Sequence, residues 1–146
     1  MILLGDIGNT ETKICLVSLN KKIIKKITFS SKNITNEKLK KNLKKLKLKN
    51  LSLEKCLFCS VVPKIFKIIK KHIMKHYKIK CFELKDLKID KLIKVKVNKK
   101  QIGSDRLANA IGSMNNKDNF IILDFGTATT FDVLVKNVYL GGIISP

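Results

Sequence analysis

The apolar and polar positions of the first thirty residues form three short runs that are typical of β-strands. The pattern predicts strands over residues 2–6, 12–19 and 22–30. The first run ends at a glycine-bearing turn, and only a few residues separate each run from the next. Such close spacing favours antiparallel neighbours, so we expect the chain to begin with three antiparallel strands.

Apolar residues then recur with helical spacing in two segments. Thr35 or Asn36 is a suitable cap for the first helix, which we expect to end near residue 47. Pro63 suits the first turn of the second helix, which we expect to end near residue 77. Between them, residues 56–62 predict a buried strand. The apolar stripes of the two helices consist of Leu39, Leu43 and Leu46, and of Ile65, Ile69 and Ile73.

The last part of the chain continues with strand and helix patterns. Residues 79–84 and 93–97 show weaker strand patterns, and residues 103–116 show the spacing of a helix. A further strand is predicted over residues 120–124. The leading order of the elements is therefore βββαβα, which is typical of an α/β domain.

The composition indicates a folded protein with a strong positive charge. Apolar residues make up 45% of the 146 positions, which is enough for a hydrophobic core. The formal net charge is +20, and every basic residue except Arg106 is a lysine. A surface for nucleic acid or anionic membranes is one interpretation of this charge. We prefer the other, that lysine fills solvated positions generally, because arginine and aromatic residues do not accompany the lysines.

The sequence contains no pattern of membrane insertion. No apolar run approaches the roughly 20 residues of a membrane span, and the apolar start at residues 1–4 is too short for the core of a signal peptide. We therefore expect a cytoplasmic protein with no membrane partner. Its cysteines should then be reduced, buried, small apolar residues. They are Cys15, Cys56, Cys59 and Cys81.

Two short motifs resemble metal sites without meeting their requirements. Cys56 and Cys59 have CxxC spacing, but in a strand these positions point to opposite faces, and no second pair follows. His72 and His76 have helical spacing but lack the glutamate of the HExxH zinc motif. We expect both histidines at the surface.

One segment of the chain occurs in two similar copies. Residues 6–17 read DIGNTETKICLV and residues 124–135 read DFGTATTFDVLV, with the aspartate, the glycine and the seventh-position threonine in register. Each copy follows an apolar strand, and each is followed by a further strand pattern, at residues 23–29 and 139–145. The sequence therefore predicts one supersecondary unit that is present twice.

The residue types in this repeated unit suit phosphate binding. The strand delivers Asp6 or Asp124 to a sheet rim, and the glycine two residues later lets backbone N–H groups face a ligand. Neighbouring Asn and Thr side chains add hydrogen-bond donors, and the aspartate can bind a cation directly or through water. Two such turns can clamp a nucleotide polyphosphate with its metal. The alternative is a pair of ordinary hairpins with polar tips.

The chain's single arginine stands in the sequence Gly103-Ser104-Asp105-Arg106, at the start of the last predicted helix. A guanidinium recognises carboxylates or phosphates in a bidentate way that lysine cannot. The helix N-terminus helps to keep Asp105 ionised, and an ionised aspartate can accept a proton from a substrate hydroxyl. The alternative is a capping aspartate beside a surface arginine.

These motifs together resemble one family. DIGNTETK at 6–13, CSVVP at 59–63, IGSDRLANAI at 102–111, DFGTATTFDV at 124–133 and YLGGIISP at 139–146 are similar to type III pantothenate kinases. That family belongs to the acetate and sugar kinase/actin-like ATPase superfamily. The resemblance implies a ribonuclease H-like α/β lobe with a mixed sheet over residues 1–118. Residues 119–146 would begin a second, similar lobe, which the chain does not complete.

The resemblance also implies roles for individual residues. Asp105 would be the catalytic base, Thr127 would contact ATP, Asp124 would hold a monovalent cation (K⁺ or NH₄⁺), and Asp6 would hold Mg²⁺ through water. The first ATP-phosphate loop would consist of Asp6, Ile7, Gly8, Asn9, Thr10, Glu11, Thr12 and Lys13. Pantothenate would be bound by Gly103, Ser104, Asp105 and Arg106. A homodimer would use ATP to make 4'-phosphopantothenate, the first step of coenzyme A synthesis.

Two alternative functions fit part of the pattern. One is a binding protein that has lost catalysis and contacts nucleic acid, similar to the Bvg accessory factors. The other is a superfamily kinase or phosphatase that acts on a different small alcohol, which explains the GSDRLANAI segment less well. One departure from the family concerns residues 95–101, VKVNKKQ, where Lys96 falls about where the family has a substrate-contacting Tyr.

Overall fold

The computed structural model describes residues 1–49 and 51–145. The chain forms two compact units, Met1–Asp86 and Leu87–Pro146. Each unit contains its own β-sheet. No helix within the described ranges is long and apolar enough to span a membrane.

The sheet of the first unit has five strands in the order β3-β2-β1-β4-β5. β1, β2 and β3 are successive antiparallel neighbours, which confirms the pairing predicted from the sequence. β4 lies parallel to β1, and β5 lies parallel to β4, so the sheet is mixed. The strands are β1 (Ile2–Ile7), β2 (Glu11–Val17), β3 (Ile23–Ser30), β4 (Lys55–Ser60) and β5 (Cys81–Glu83).

Two helices belong to this unit, α1 (Asn36–Lys44) and α2 (Pro63–Tyr77). Of the two predicted caps, Thr35 forms the cap of α1, since its hydroxyl accepts a hydrogen bond from the backbone N–H of Lys38. α1 ends before residue 47 because Lys47 has a φ of 53°, which a right-handed helix cannot include. The bounds of α2 agree with the prediction, and Pro63 occupies its first turn.

The core of the first unit contains the predicted apolar stripes. Leu39 and Leu43 of α1 and Ile69 and Ile73 of α2 are fully buried. Ile65 is only partly buried, and Phe66 takes a buried position on that face of α2. The sheet contributes to the same core Leu3, Ile7, Ile14, Leu16, Ile27, Cys56, Phe58 and Cys81.

Two expectations about single residues in this unit need correction. His72 is not a surface residue: it is 8% exposed, because it lies on the buried side of α2 between Ile69 and Ile73. His76, one turn further, is exposed as expected. Cys56 and Cys81 are buried at paired positions of neighbouring strands, but Cys15 and Cys59 are only half-buried.

The sheet of the second unit has four strands in the order β6-β9-β8-β7. β7, β8 and β9 are successive antiparallel neighbours, and the two-residue β6 lies parallel to β9. The helix α3 contacts β7 and β8 and ends earlier than predicted, at Ser113. The elements are β6 (Lys94–Val95), α3 (Ser104–Ser113), β7 (Asn119–Phe125), β8 (Thr129–Val135) and β9 (Val138–Ser145).

The repeated unit predicted from the sequence has two similar structures. In each copy a strand, a three-residue turn and two further strands form an antiparallel meander, β1–β3 in one case and β7–β9 in the other. The register shifts between Leu16 and Val17 in the first copy, and between Val133 and Leu134 in the second. These irregularities fall within one residue of equivalent positions in the repeat.

The first unit has the βββαβα order and the mixed sheet of a ribonuclease H-like lobe, and the fold class is therefore confirmed. The compact units divide after Asp86, because β6 pairs with β9 and α3 packs on the second sheet. The lobe boundary between residues 118 and 119, which separates the first lobe from the start of a second one, stays a prediction. Pro146, the last residue of that predicted second lobe, lies outside the described residues.

Candidate functional site

The first predicted phosphate loop is the turn between β1 and β2. Asp6 stands one residue before the end of β1 and is half-buried. It lies opposite Lys13 of β2 and beside Cys59 of β4. The Cys59 thiol donates to Oδ1 of Asp6 at 3.6 Å. The carboxylate is therefore held at the rim of the sheet by a neighbouring strand.

Ser31, the residue after β3, supports this turn from within. Its hydroxyl donates to the carbonyl of Gly8 at 2.6 Å and lies 2.9 Å from the hydroxyl of Thr12. Its backbone N–H donates to the carbonyl of Thr10 at 2.8 Å. Ser31 is 4% exposed. Its signal in the sequence is weak, since it is only a small hydroxyl residue directly after the third strand.

The predicted ATP-loop residues separate into buried and exposed side chains. Ile7 and Thr12 are fully buried, so any contact from these residues to a nucleotide would come from the backbone. Gly8 does not have the positive φ that would require glycine, but an added Cβ would lie 3.2 Å from the carbonyl of Glu11. The exposed side chains of the loop are those of Asn9, Thr10, Glu11 and Lys13.

The second predicted loop is the turn between β7 and β8. Asp124 is half-buried near the end of β7, and the amide of Asn109 in α3 donates to its Oδ2 at 2.9 Å. Thr130 lies directly opposite Asp124 on β8. Thr127, at the tip, is exposed. In this turn Gly126 has room for a Cβ, so its conformation does not depend on glycine.

The surroundings of Asp124 suit a cation that this carboxylate would coordinate together with other oxygen donors. The hydroxyl oxygen of Thr130 is buried and has no hydrogen-bond partner in the part of the chain that the structure describes. It points to the same face as the Asp124 carboxylate, because directly paired residues of antiparallel strands share a face. Nowhere in residues 1–49 and 51–145 do three His, Cys, Asp or Glu side chains form a metal-binding group. Hydroxyl, carbonyl, water or phosphate oxygens would have to complete the coordination, as is usual for hard cations.

The predicted substrate residues form the start of α3. Ser104 and Arg106 are 1% and 9% exposed, whereas Asp105 between them is half-buried. Oδ1 of Asp105 accepts a hydrogen bond of 2.8 Å from the backbone N–H of Arg106. The carboxylate of Asp105 thus lies in the first turn of a helix, where the helix dipole favours negative charge.

The Arg106 guanidinium is engaged within the chain. Its Nε lies 2.9 Å and its Nη2 2.6 Å from Oδ1 of Asp132, a residue of β8 that is 0% exposed. The hydroxyl of the buried Tyr139 in β9 donates to the same oxygen. The hydrogen bond to Asp132 raises the pKa of Arg106, while burial and Asp132 raise the pKa of Tyr139. Arg106 therefore stays charged, and Tyr139 stays a hydrogen-bond donor, throughout the neutral range.

The structure brings together several residues whose contacts the sequence pattern does not predict. In the second unit Asn109 links α3 to Asp124, and Asp132 with Tyr139 links Arg106 to the sheet. All three lie in the motifs that carry the family resemblance: Asn109 in IGSDRLANAI, Asp132 in DFGTATTFDV and Tyr139 in YLGGIISP. The motifs themselves do not show which of these residues contact each other. The convergence of both turns on one triphosphate stays a prediction.

A separate cavity of about 400 Å³ lies in the first unit, along α1 and α2. It is lined by lysines, both histidines of α2 and an apolar floor, and includes none of the predicted site residues. Lysine occurs throughout the first two thirds of the chain, so its presence around the cavity does not indicate a particular ligand.

Comparison with known proteins gives a consistent assignment. The family model described as type III pantothenate kinase matches residues 2–146. The type III pantothenate kinase of Pelagibacter ubique (strain HTCC1062) is 66% identical over 146 residues, which is 100% of this chain and 59% of that protein. The type III pantothenate kinase of Legionella pneumophila (strain Corby) is 34% identical over 154 residues, 100% of this chain and 59% of that protein. The chain thus spans about three fifths of the length of these curated relatives.

Solved structures show the same fold at low sequence identity. A candidate N-acetylglucosamine kinase from Porphyromonas gingivalis matches with a TM-score of 0.56 and 14% identity, covering 98% of this chain and 47% of that one. A candidate 2-dehydro-3-deoxygalactonokinase from Sinorhizobium meliloti matches with a TM-score of 0.53 and 8% identity, covering 99% and 54%. These two matches support the fold class alone.

Proposed function

The chain belongs to the type III pantothenate kinase family, and from this membership we propose that the protein containing it transfers the terminal phosphoryl group of ATP to pantothenate. The product would be 4'-phosphopantothenate, and the reaction would be the first step of coenzyme A synthesis. The chain covers 59% of its 66% identical relative, so the proposal concerns the complete protein that contains these residues.

The observation that carries the proposal is the environment of Asp105. Its carboxylate is half-buried in the first turn of α3, while the residues on both sides of it are buried. Its Oδ1 already accepts a hydrogen bond from the N–H of Arg106, which fixes the orientation of the carboxylate. A general base of a kinase needs this combination of a carboxylate, a fixed position and access to a hydroxyl.

In the proposed reaction Asp105 accepts the proton of the primary hydroxyl of pantothenate. The hydroxyl oxygen forms a bond to the γ-phosphorus, the bond from that phosphorus to the bridging oxygen breaks, and ADP leaves with the electron pair. Phosphoryl transfer of this kind depends mainly on positioning and on charge stabilisation. The chain would contribute Gly103, Ser104 and Arg106 to positioning pantothenate.

The remaining predicted residues would bind the nucleotide. The exposed side chains and N–H groups of the β1–β2 turn would contact the phosphates, and Thr127 would contact ATP from the second turn. Asp124 would hold a monovalent cation, K⁺ or NH₄⁺, and Asp6 would hold Mg²⁺ through water. When bound, these cations would neutralise charge on the phosphate oxygens. From the family we also propose that the protein is a cytoplasmic homodimer.

The test is ATP-dependent formation of phosphopantothenate by the complete protein, compared with its Asp105→Asn variant. Removing a general base lowers kcat about 100-fold to 10,000-fold. Asp90→Asn is the matched control, because Asp90 is an exposed residue of the same unit that pairs with Lys99. An inactive parent protein would contradict the function, and an Asp105→Asn variant with unchanged kcat would contradict the assignment of the base.

A further inference from the structure

We propose that Asp132 and Tyr139 are positioning residues that hold Arg106, and with it the first turn of α3, in the place from which Asp105 acts. This inference rests on the proposed function. It concerns two residues to which the resemblance assigned no role.

The first argument is the geometry of the three side chains. Asp132 accepts hydrogen bonds from both Nε and Nη2 of Arg106, so it occupies one complete edge of the guanidinium. The Tyr139 hydroxyl donates to the same carboxylate. Asp132 and Tyr139 are both 0% exposed, and Arg106 is 9% exposed. A buried cluster with paired charges keeps each side chain in one position, because any other position would leave a buried charge without a partner.

The second argument comes from the backbone of β9. Gly142 pairs with Asp132 in the sheet, and a Cβ at this glycine would collide with the carbonyl oxygen of Phe131 and would lie 2.6 Å from Nη2 of Arg106. Any larger residue at position 142 would therefore occupy the space that the guanidinium uses. The guanidinium of Arg106 therefore lies close against the backbone of β9 at Gly142, in addition to its hydrogen bonds with Asp132.

The third argument links this cluster to the base. Arg106 contacts Asp132 through its side chain, and through its backbone N–H it donates to the Asp105 carboxylate. A shift of the guanidinium would move the N–H that orients Asp105. A residue that joins the base to a buried anchor in this way acts on catalysis through position, without contacting the reacting atoms.

The same geometry restricts how Arg106 can contact a substrate. The edge formed by Nε and Nη2 is taken by Asp132, so a substrate carboxylate could be recognised only at the edge formed by Nη1 and Nη2. This also explains why arginine occurs here in a chain that otherwise uses lysine. An ammonium group has no second edge with which to bind Asp132 and a ligand at the same time.

The test uses the complete protein and its Asp132→Asn and Tyr139→Phe variants, with Asp90→Asn as the control. Asp132→Asn should lower kcat about 100-fold, and Tyr139→Phe, which removes one hydroxyl, about fivefold. The KM for ATP should stay within about twofold of the parent value, because the β1–β2 turn is unchanged. A purely structural role would instead lower the midpoint of thermal unfolding and leave kcat unchanged below it.

A second measurement does not depend on activity. The Nε–H proton of Arg106 should give a downfield NMR signal that exchanges slowly with water, identified by its loss in Arg106→Lys. In Tyr139→Phe the signal should remain, and in Asp132→Asn it should exchange rapidly. If Asp132→Asn does not fold, the test rests on Tyr139→Phe alone. A kcat of Tyr139→Phe equal to that of the parent protein overturns the inference. An inactive parent overturns the proposed function as well, whereas rapid Nε–H exchange in an active parent overturns this inference alone.

Discussion

The side-chain amide of Asn109 donates a hydrogen bond of 2.9 Å to the carboxylate of Asp124, and so joins the middle of α3 to the end of β7. Asp105 and Asn109 are separated by one helical turn, which places them on the same side of α3. The helix that carries the proposed base is thereby attached to the carboxylate that is predicted to hold a monovalent cation.

Asn109→Ala should therefore weaken the response to K⁺. Residues that hydrogen-bond to metal ligands change metal affinity about 10-fold to 100-fold, so we expect the K⁺ concentration for half-maximal activity to rise about tenfold. The measurement is the initial rate against K⁺ concentration at saturating substrates. Asn115→Ala is the control, because Asn115 is exposed and bonds to Asp118. An unchanged K⁺ response in Asn109→Ala would contradict the role of Asp124.

Ser31→Ala should affect the first loop and the stability of the first unit. The variant loses the hydroxyl that contacts Gly8 and Thr12, and leaves the half-buried Gly8 carbonyl and the buried Thr12 hydroxyl with one partner fewer. We expect unfolding free energy to fall by about 1–3 kcal/mol, and the KM for ATP to rise. Urea unfolding and ATP kinetics check the two parts. Ser30→Ala, at an exposed neighbouring position, should change neither.

Two glycines allow a matched test of packing. A Cβ at Gly5 would collide with the ring of Phe58 on the neighbouring strand, so Gly5→Ala should destabilise the protein by about 1–3 kcal/mol. At Gly112, inside α3, a Cβ would meet nothing within 4 Å, and Gly112→Ala should stabilise by about 0.5–1 kcal/mol. Urea unfolding midpoints measure both. We expect the two changes in unfolding midpoint to have opposite signs. An unchanged midpoint in Gly5→Ala would show that Phe58 can move aside.

His72 should make stability depend on pH. Burial lowers the pKa of His72, and the positive charges of His76, Lys40 and Lys75 lower it further. The unfolded chain, with a histidine pKa of about 6.5, then binds more protons than the folded chain. Unfolding free energy should therefore fall as the pH drops below about 6.5, and the fall should continue down to the lower folded pKa. Urea unfolding between pH 5 and pH 8, roughly the range in which histidine titrates, measures this. The slope should become shallower in His72→Gln, and an equal slope in that variant would exclude His72 as its source.

Local pattern was sufficient for most of the secondary structure. The three opening strands, the helix that begins at Pro63 and the strands around both aspartate turns follow from apolar spacing and turn residues, which act over a few neighbouring positions. Helix ends were less predictable. α1 stops at Lys44, three residues earlier than expected, and the backbone angles leave the helical range completely at Lys47. α3 stops at Ser113, also three residues early, because Met114 has an extended backbone.

The α/β class, the repeated aspartate turns and the family to which the chain belongs follow from the sequence alone, because each depends on residues that are close together in the chain. Which side chains contact each other depends on the three-dimensional fold. Arg106 meets Asp132, Ser31 supports the turn at Gly8, and His72 faces the core. These contacts join residues that are more than twenty positions apart, or depend on which side of a helix packs against the sheet. Composition and local spacing predict neither the long-range contacts nor the buried side of a helix, since both arise when the whole chain buries its apolar surface.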